Sequence, residues 1–168
     1  QTKYCSPFSG RSFIYIKIMI LISHRGNING PKPHLENDPR YIFDALSKGY
    51  NVEVDIWGVD NDLYFGHDKP QYKVHVPFIS DDRIWCHCKN IDAMITIKEI
   101  NRKFGAYNIH YFWHQEDDIT LTSQGHIWAH SNKQPIKNSI AVLPEIHQDD
   151  LSVCKGICSD YIINYHNE

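Results

Sequence analysis

The sequence has no apolar run of membrane length. The longest candidate, Phe13 to Ile22, is broken by Lys17 and falls short of the roughly 20 residues that cross a bilayer, so no transmembrane segment is expected. The same run lacks the small-residue cleavage site of a secretory signal. Basic charge is scarce: 17 Lys and Arg stand against 20 Asp and Glu, a net charge of −3. That leaves no positive field for duplex nucleic acid, and no basic groove interleaved with aromatics for single strands. Cysteines number five, and an odd count cannot all be used in a disulfide scaffold, so the expected setting is reducing and cytoplasmic. Cys86-His87-Cys88 is followed by no second ligand pair at zinc-finger spacing. Internal repeats and low-complexity stretches are absent, and 168 residues leave no room for a second core.

Histidine, by contrast, is abundant, with 11 residues. It titrates near neutral pH and is the commonest metal ligand. The first 18 residues carry Lys3, Arg11 and Lys17 and no acid. Residues 1–18 are read as a non-native or disordered leader, and residues 19–168 as one domain starting at Met19.

Met19-Ile-Leu-Ile-Ser reads as a strand buried on both faces. Asp38-Pro39 opens a helix with Tyr41, Ile42, Ala45 and Leu46 at helical spacing, closed by Gly49. Asn51 to Trp57 alternates, so Glu53 and Asp55 share one face. A turn near Asp60 leads to a second short strand ending before Gly66-His67-Asp68. Arg83 to Cys88 is the next strand, and Ile91 to Phe104 the second helix, stopped by Gly105. Ile109 to Trp113, His126 to Ala129, Ser139 to Leu143 and Gly156 to Ile162 complete seven strands for the main sheet. Strand, helix, strand order implies parallel crossovers and an α/β fold. A full eight-fold barrel takes about 250 residues. The expected architecture is therefore a reduced TIM-type (β/α) barrel with several outer helices missing or shortened.

The chemistry-bearing residues fall at strand C-terminal ends: His24-Arg25-Gly26, Glu53 and Asp55, and Gly66-His67-Asp68. In a parallel barrel these ends converge on the face where active sites sit. Arginine presents a planar fork to phosphate oxygens, and paired carboxylates hold a hard divalent cation. One imidazole can take a proton from an attacking hydroxyl while another protonates the leaving alkoxide. Together they suit phosphoryl chemistry.

In order and spacing, Ile22-Ser-His-Arg-Gly26, Glu36-Asn37, Glu53-Val-Asp55 and Gly66-His-Asp68 resemble the glycerophosphodiester phosphodiesterase family, barrel enzymes related to phosphatidylinositol-specific phospholipase C. The match is close over the first third of the domain. The resemblance implies His24 and His67 as acid and base, and Glu53 and Asp55 as ligands of Ca²⁺ or Mg²⁺. It assigns Arg25 to the phosphate, with Glu36 bracing Arg25 or approaching the metal. It also implies that a neighbouring substrate hydroxyl attacks phosphorus and a cyclic phosphate forms. The family's next strand carries Glu-x-Lys with the glutamate as third metal ligand; here it reads His87-Cys88-Lys89. Lys89 keeps the phosphate-side cation. An imidazole at His87 would shift preference toward Zn²⁺ or Mn²⁺.

His114, Gln115 and Glu145 also end strand candidates and could line the same mouth. Trp113 and Trp128 are read as core, His130 as substrate-facing or core, and His110, His126, His147 and His166 as structural or exposed. The expected function is metal-dependent hydrolysis of a glycerophosphodiester-like or other small phosphodiester. The alternative is a barrel that binds a phosphate-containing ligand without turning it over. Oligomeric state is left open.

Overall fold

The computed structural model of the protein describes residues 19–166; the leader assigned to residues 1–18 lies outside the described residues. In chain order the elements are β1 (Ile20–His24), α1 (Pro39–Ser47), β2 (Asn51–Val59), β3 (Asp62–Phe65), β4 (Tyr72–Val74), α2 (Val76–Ile79), β5 (Ile84–Cys88), α3 (Ile91–Lys103), β6 (His110–Phe112), β7 (Ile119–Leu121), β8 (Ile127–His130), β9 (Ile140–Val142) and β10 (Gly156–Ser159).

Local chemistry sets the boundaries. The Asp38 carboxylate accepts from the Arg40 amide at 2.8 Å and Pro39 occupies the first helical position, so α1 starts there. Asn90 caps α3 by accepting from the Ala93 amide at 3.0 Å. It also exchanges hydrogen bonds with the Gly58 backbone, at 2.9 and 2.8 Å, tying the helix start to the end of β2. Asp60 and Asn61, both at positive φ, turn β2 back into β3.

All ten strands belong to one sheet in a mixed α/β fold. Seven run parallel in the order β6, β5, β2, β1, β10, β9, β8, and they are the seven strands read from the sequence. Strands β3 and β4 add antiparallel to β2, and β7 adds antiparallel to β8. Helices pack on one side only of the β5–β2 region. There Val52, Val54, Ile56, Ile84, Cys86 and Cys88 meet Ile42, Ala45, Leu46, Ala93 and Ile97. The later strands are joined by short segments, as the sequence pattern required.

The opposite face carries the alternate residues. Ile22, Trp85, Phe112, Trp128, Ile140, Val142 and Cys158 form a second buried cluster. Trp128 of β8 lies 4.6 Å from Phe112 of β6 and 5.8 Å from Trp85 of β5, between ring centroids. The Ser123 amide, at the end of β7, also donates to the Tyr111 carbonyl at 2.8 Å. Strands at the two ends of the parallel run thus touch, which requires a strongly curved sheet. No helix among the described residues is long and apolar enough to cross a membrane.

Candidate metal and phosphate site

Strand register brings the inner-face residues together. His24 pairs with Glu53 across β1–β2, and Asp55 with His87 across β2–β5. Because side chains alternate along a strand, Glu53 and Asp55 point to the same side as His24 and His87. Glu53 and Asp55 are buried, at 2% and 0% exposure. Buried carboxylates require partners, and the motif loops supply them.

After β1 the chain turns sharply through Arg25 and Gly26, at φ of 53° and 93°. A left-handed arginine is strained by roughly 1–2 kcal/mol, and the Arg25 amide is held by the Glu53 carbonyl at 3.0 Å. At Gly26 a Cβ would sit 2.7 Å from the Tyr41 ring, so glycine is required there. The turn aims the Arg25 guanidinium back at β2. Its Nε lies 2.9 Å from Asp55 Oδ2 and its Nη1 donates to Glu36 Oε2 at 3.2 Å. Glu36 Oε1 in turn accepts from Asn27 Nδ2 at 2.9 Å. Asn37 makes a reciprocal pair with Asp55, donating to Oδ2 at 3.0 Å and accepting from its amide at 2.9 Å. Glu36 therefore sets Arg25, and Asn37 sets Asp55.

From β5, His87 Nδ1 approaches Asp55 Oδ1 to 3.2 Å and Glu53 Oε1 to 3.8 Å, and Lys89 Nζ lies 3.4 Å from Asp55 Oδ1. None of these approaches has hydrogen-bonding geometry. Asp55 Oδ1 and His87 Nε2 are buried with no hydrogen-bond partner. Glu53, Asp55 and His87 offer ligand atoms within 4.8 Å of one another, a group that could hold a metal ion. The unpartnered Asp55 Oδ1 and the carboxylate–imidazole donor set, with His87 Nδ1 facing both carboxylates, fit a divalent cation.

His24 is held from the other side. Its Nδ1 lies 2.8 Å from Asp160 Oδ1, while its Nε2 is 3.9 Å from Glu53 Oε2. Asp160 also accepts from Asn27 Nδ2 at 2.8 Å, and its amide donates to Glu145 Oε1 at 3.1 Å. Sequence reasoning missed Asp160, Asn27 and Asn37. Asp160 had a signal: Ser23 pairs with Ser159, so it follows the last strand where His24 ends the first.

His67 arrives on the loop after β3. The Gly66 amide donates to the Asp55 carbonyl at 3.1 Å, and Trp57 Nε1 donates to the Gly66 carbonyl at 2.7 Å. Gly66 has φ of 147°, and a Cβ there would collide with the Lys69 carbonyl. Its neighbour His67 is half-buried, with Nδ1 2.6 Å from Asp68 Oδ1. His67 and His24 line one cleft of about 640 Å³ together with Arg25, Glu36 and Asp160. Glu53 and Asp55 are not in its wall; they contact its His24 and Arg25. His114 lies flat on His87 at 4.4 Å, and His130 meets His114 edge-on at 5.1 Å. His110 is buried far down the strands against Trp85, and Trp128 is core.

Electrostatics follow the geometry. Burial works to lower the His24 pKa, but the Asp160 hydrogen bond and the Glu53 charge outweigh it and hold it above the usual value. Burial and the Asp55 charge push Glu53 up, against His24 and Arg25. Asp55 is also buried, yet the His87, Arg25 and Lys89 groups around it hold it far below the usual carboxylate range. Burial, then the His87 and His130 neighbours, pulls His114 down to about 4. The cleft thus contains the Arg25 guanidinium and the His24 and His67 imidazoles, with Glu36, Asp68 and Asp160 in its wall and the Glu53–Asp55 pair behind His24 and Arg25. Comparison with models of known protein families, with curated proteins and with solved structures gives no match.

Proposed function

We propose that this protein is a divalent-cation-dependent phosphodiesterase, similar to the glycerophosphodiester phosphodiesterases, working at the mouth of a reduced (β/α) barrel. The barrel reading rests on seven parallel strands whose end members touch through Trp128 and Phe112, with Ser123, just after β7, bonded to Tyr111. The observation that carries the function is convergence. His24 and His67, 43 positions apart in sequence, line one cleft together with Arg25 and Glu36.

Arg25 binds the phosphate of the diester. Asp55 and Glu36 fix its orientation, leaving the outer N–H groups for phosphoryl oxygens, and Lys89 adds a second cation beside Asp55. Asp160 accepts the Nδ1 proton of neutral His24, which leaves the Nε2 lone pair free. His24 and His67 form the acid–base pair. One takes the proton of a neighbouring substrate hydroxyl as that oxygen bonds to phosphorus; the other gives a proton to the alkoxide as its P–O bond breaks. The product is a cyclic phosphate and a free alcohol, and water opens the ring by the reverse proton transfers. Glu53, Asp55 and His87 would hold a divalent cation, which when bound would supply positive charge near the phosphoryl oxygens.

The test is release of alcohol or cyclic phosphate from a panel of glycerophosphodiesters and other small phosphodiesters, with Mg²⁺, Ca²⁺, Mn²⁺ or Zn²⁺. His24→Ala and His67→Ala are each expected to lose about 10²–10⁴-fold in turnover with the fold intact. Full turnover by folded His24→Ala overturns the assignment. Phosphate binding without turnover under any cation selects the alternative, a binding module.

A further inference from the structure

Resting on the cation-dependent reading above, we propose that the Glu53–Asp55–His87 centre selects a borderline d-block cation of the Zn²⁺ type over Mg²⁺ or Ca²⁺, and that Phe112 and His114 are the positioning residues that hold His87 as its nitrogen ligand.

The donor set is not the all-oxygen one that hard cations prefer. Ca²⁺ takes six to eight oxygen ligands, and Mg²⁺ an oxygen octahedron of one or two carboxylates completed by waters and phosphate oxygens. Among the described residues the candidate group contains two carboxylates only, and Asp55 Oδ2 already faces Arg25 Nε at 2.9 Å and accepts from Asn37 at 3.0 Å. What remains is Asp55 Oδ1, Glu53 and an imidazole. Two oxygens and one nitrogen, with a position left for substrate or water, is a donor set that suits zinc-type ions and not the alkaline earths.

The imidazole is held in place. His87 pairs with Phe112 across β5–β6. Its ring lies parallel to Phe112, at 5.1 Å and 1°, and parallel to His114, at 4.4 Å and 4°. Phe112 ends β6 and His114 follows two residues later, their rings parallel at 6.1 Å and 5°, so together they form a flat wall behind the His87 ring. That wall restricts rotation of the ring about its Cβ–Cγ bond and keeps Nδ1, the nitrogen nearest both carboxylates, turned to them. Fixing a ligand's ring plane raises metal affinity by avoiding the entropy of ordering it on binding. The parallel planes also separate the roles. Two imidazoles stacked face to face do not both direct in-plane lone pairs at one ion, so His114 positions the ligand and is not one itself.

The test measures binding on the metal-free full chain. Zn²⁺ and Co²⁺ are expected to bind one per chain, at least about 100-fold tighter than Mg²⁺ or Ca²⁺, with a Co²⁺ visible spectrum of a nitrogen-containing site. His87→Glu is expected to narrow that preference at least tenfold, and His87→Gln to remove the nitrogen signature. His114→Phe keeps the flat wall and is expected to hold wild-type affinity, whereas His114→Ala loses about tenfold. Equal binding of Mg²⁺ and Zn²⁺ overturns the selectivity. An unchanged Co²⁺ spectrum in folded His87→Gln overturns the ligand assignment, and equal losses in the Phe and Ala variants overturn the positioning role. Turnover supported by Mg²⁺ as the tightest cation would sink this inference and leave the phosphodiesterase reading standing. Zinc binding without turnover of any phosphodiester would do the reverse.

Discussion

Substituting Asp160 tests whether the cleft is organised for proton transfer. Its Oδ1 receives both His24 Nδ1 and Asn27 Nδ2 at 2.8 Å, and its carboxylate is the nearest anion to the His24 ring. A hydrogen bond to a charged group contributes about 1.5–3 kcal/mol. If that energy orients His24 in the transition state, its loss slows the reaction by about 10- to 150-fold, at 1.36 kcal/mol per decade. Asp160→Asn keeps the shape and an acceptor oxygen but drops the charge, so it belongs near the lower end. Asp160→Ala removes both contacts and belongs at or above the upper end. The assay is kcat/KM on the best phosphodiester substrate, paired with ¹⁵N spectra of the His24 ring to read which nitrogen carries the proton. Thermal unfolding separates misfolding from mispositioning. Both variants within twofold of wild type, with the Nδ1–H tautomer retained, would refute the orienting role.

Two further outcomes follow from the packing. Asn37→Ala strips Asp55 of two buried hydrogen bonds, so a loss of about 2–4 kcal/mol is expected in urea unfolding, with phosphate affinity falling as Arg25 loses its fixed counter-ion. Burial, reinforced by His126, holds His110 down at about 3, against an ordinary value of 6.5. Below pH 6.5 the unfolded chain therefore takes up this proton before the folded one does. Stability falls with decreasing pH by about 1.4 kcal/mol per unit until the folded value is reached. His110→Phe is expected to remove that part of the slope, seen as the difference between the wild-type and variant urea midpoints across the acid range.

What was readable in advance was local. The Asp38 helix start, the alternation that puts Glu53 and Asp55 on one side, and the seven parallel strands are all written in short windows of sequence. So were the positions of His24, Arg25 and His67 at strand ends. Strands β4 and β7 escaped because their three residues are largely exposed or half-buried and carry no apolar run, unlike the equally short but buried β6 and β9. Asp160 escaped because its strand was read on to Ile162, which placed the acid inside an element; β10 ends at Ser159, leaving Asp160 at a strand end. Asn27 and Asn37 carry no chemical signature of their own. Their importance lies in which carboxylate each one meets, and that depends on contacts between residues 9 to 133 positions apart. The meeting of β6 with β7 and β8 is likewise a property of the whole sheet's curvature.

The inner face also explains the abundance of histidine. A parallel sheet covered on both sides accepts polar residues only where they find partners. Along these strands the inward positions run from aromatic and aliphatic, at Trp85, Phe112, Trp128 and Val142, to polar at the C-terminal ends. There His24, Asp55, His87, His114, His130 and Asp160 collect. Buried polar atoms without hydrogen-bond partners concentrate at that same end, in Arg25, Asp55, His87, His114 and Glu145. Each costs about 1–3 kcal/mol if left unpaired. Several of them in one place is the observation behind the proposed ligand site. His110 lies at the other end with both ring nitrogens unpartnered and no carboxylate beside it. The same residue type thus gathers beside carboxylates at one pole and is kept neutral by burial at the other.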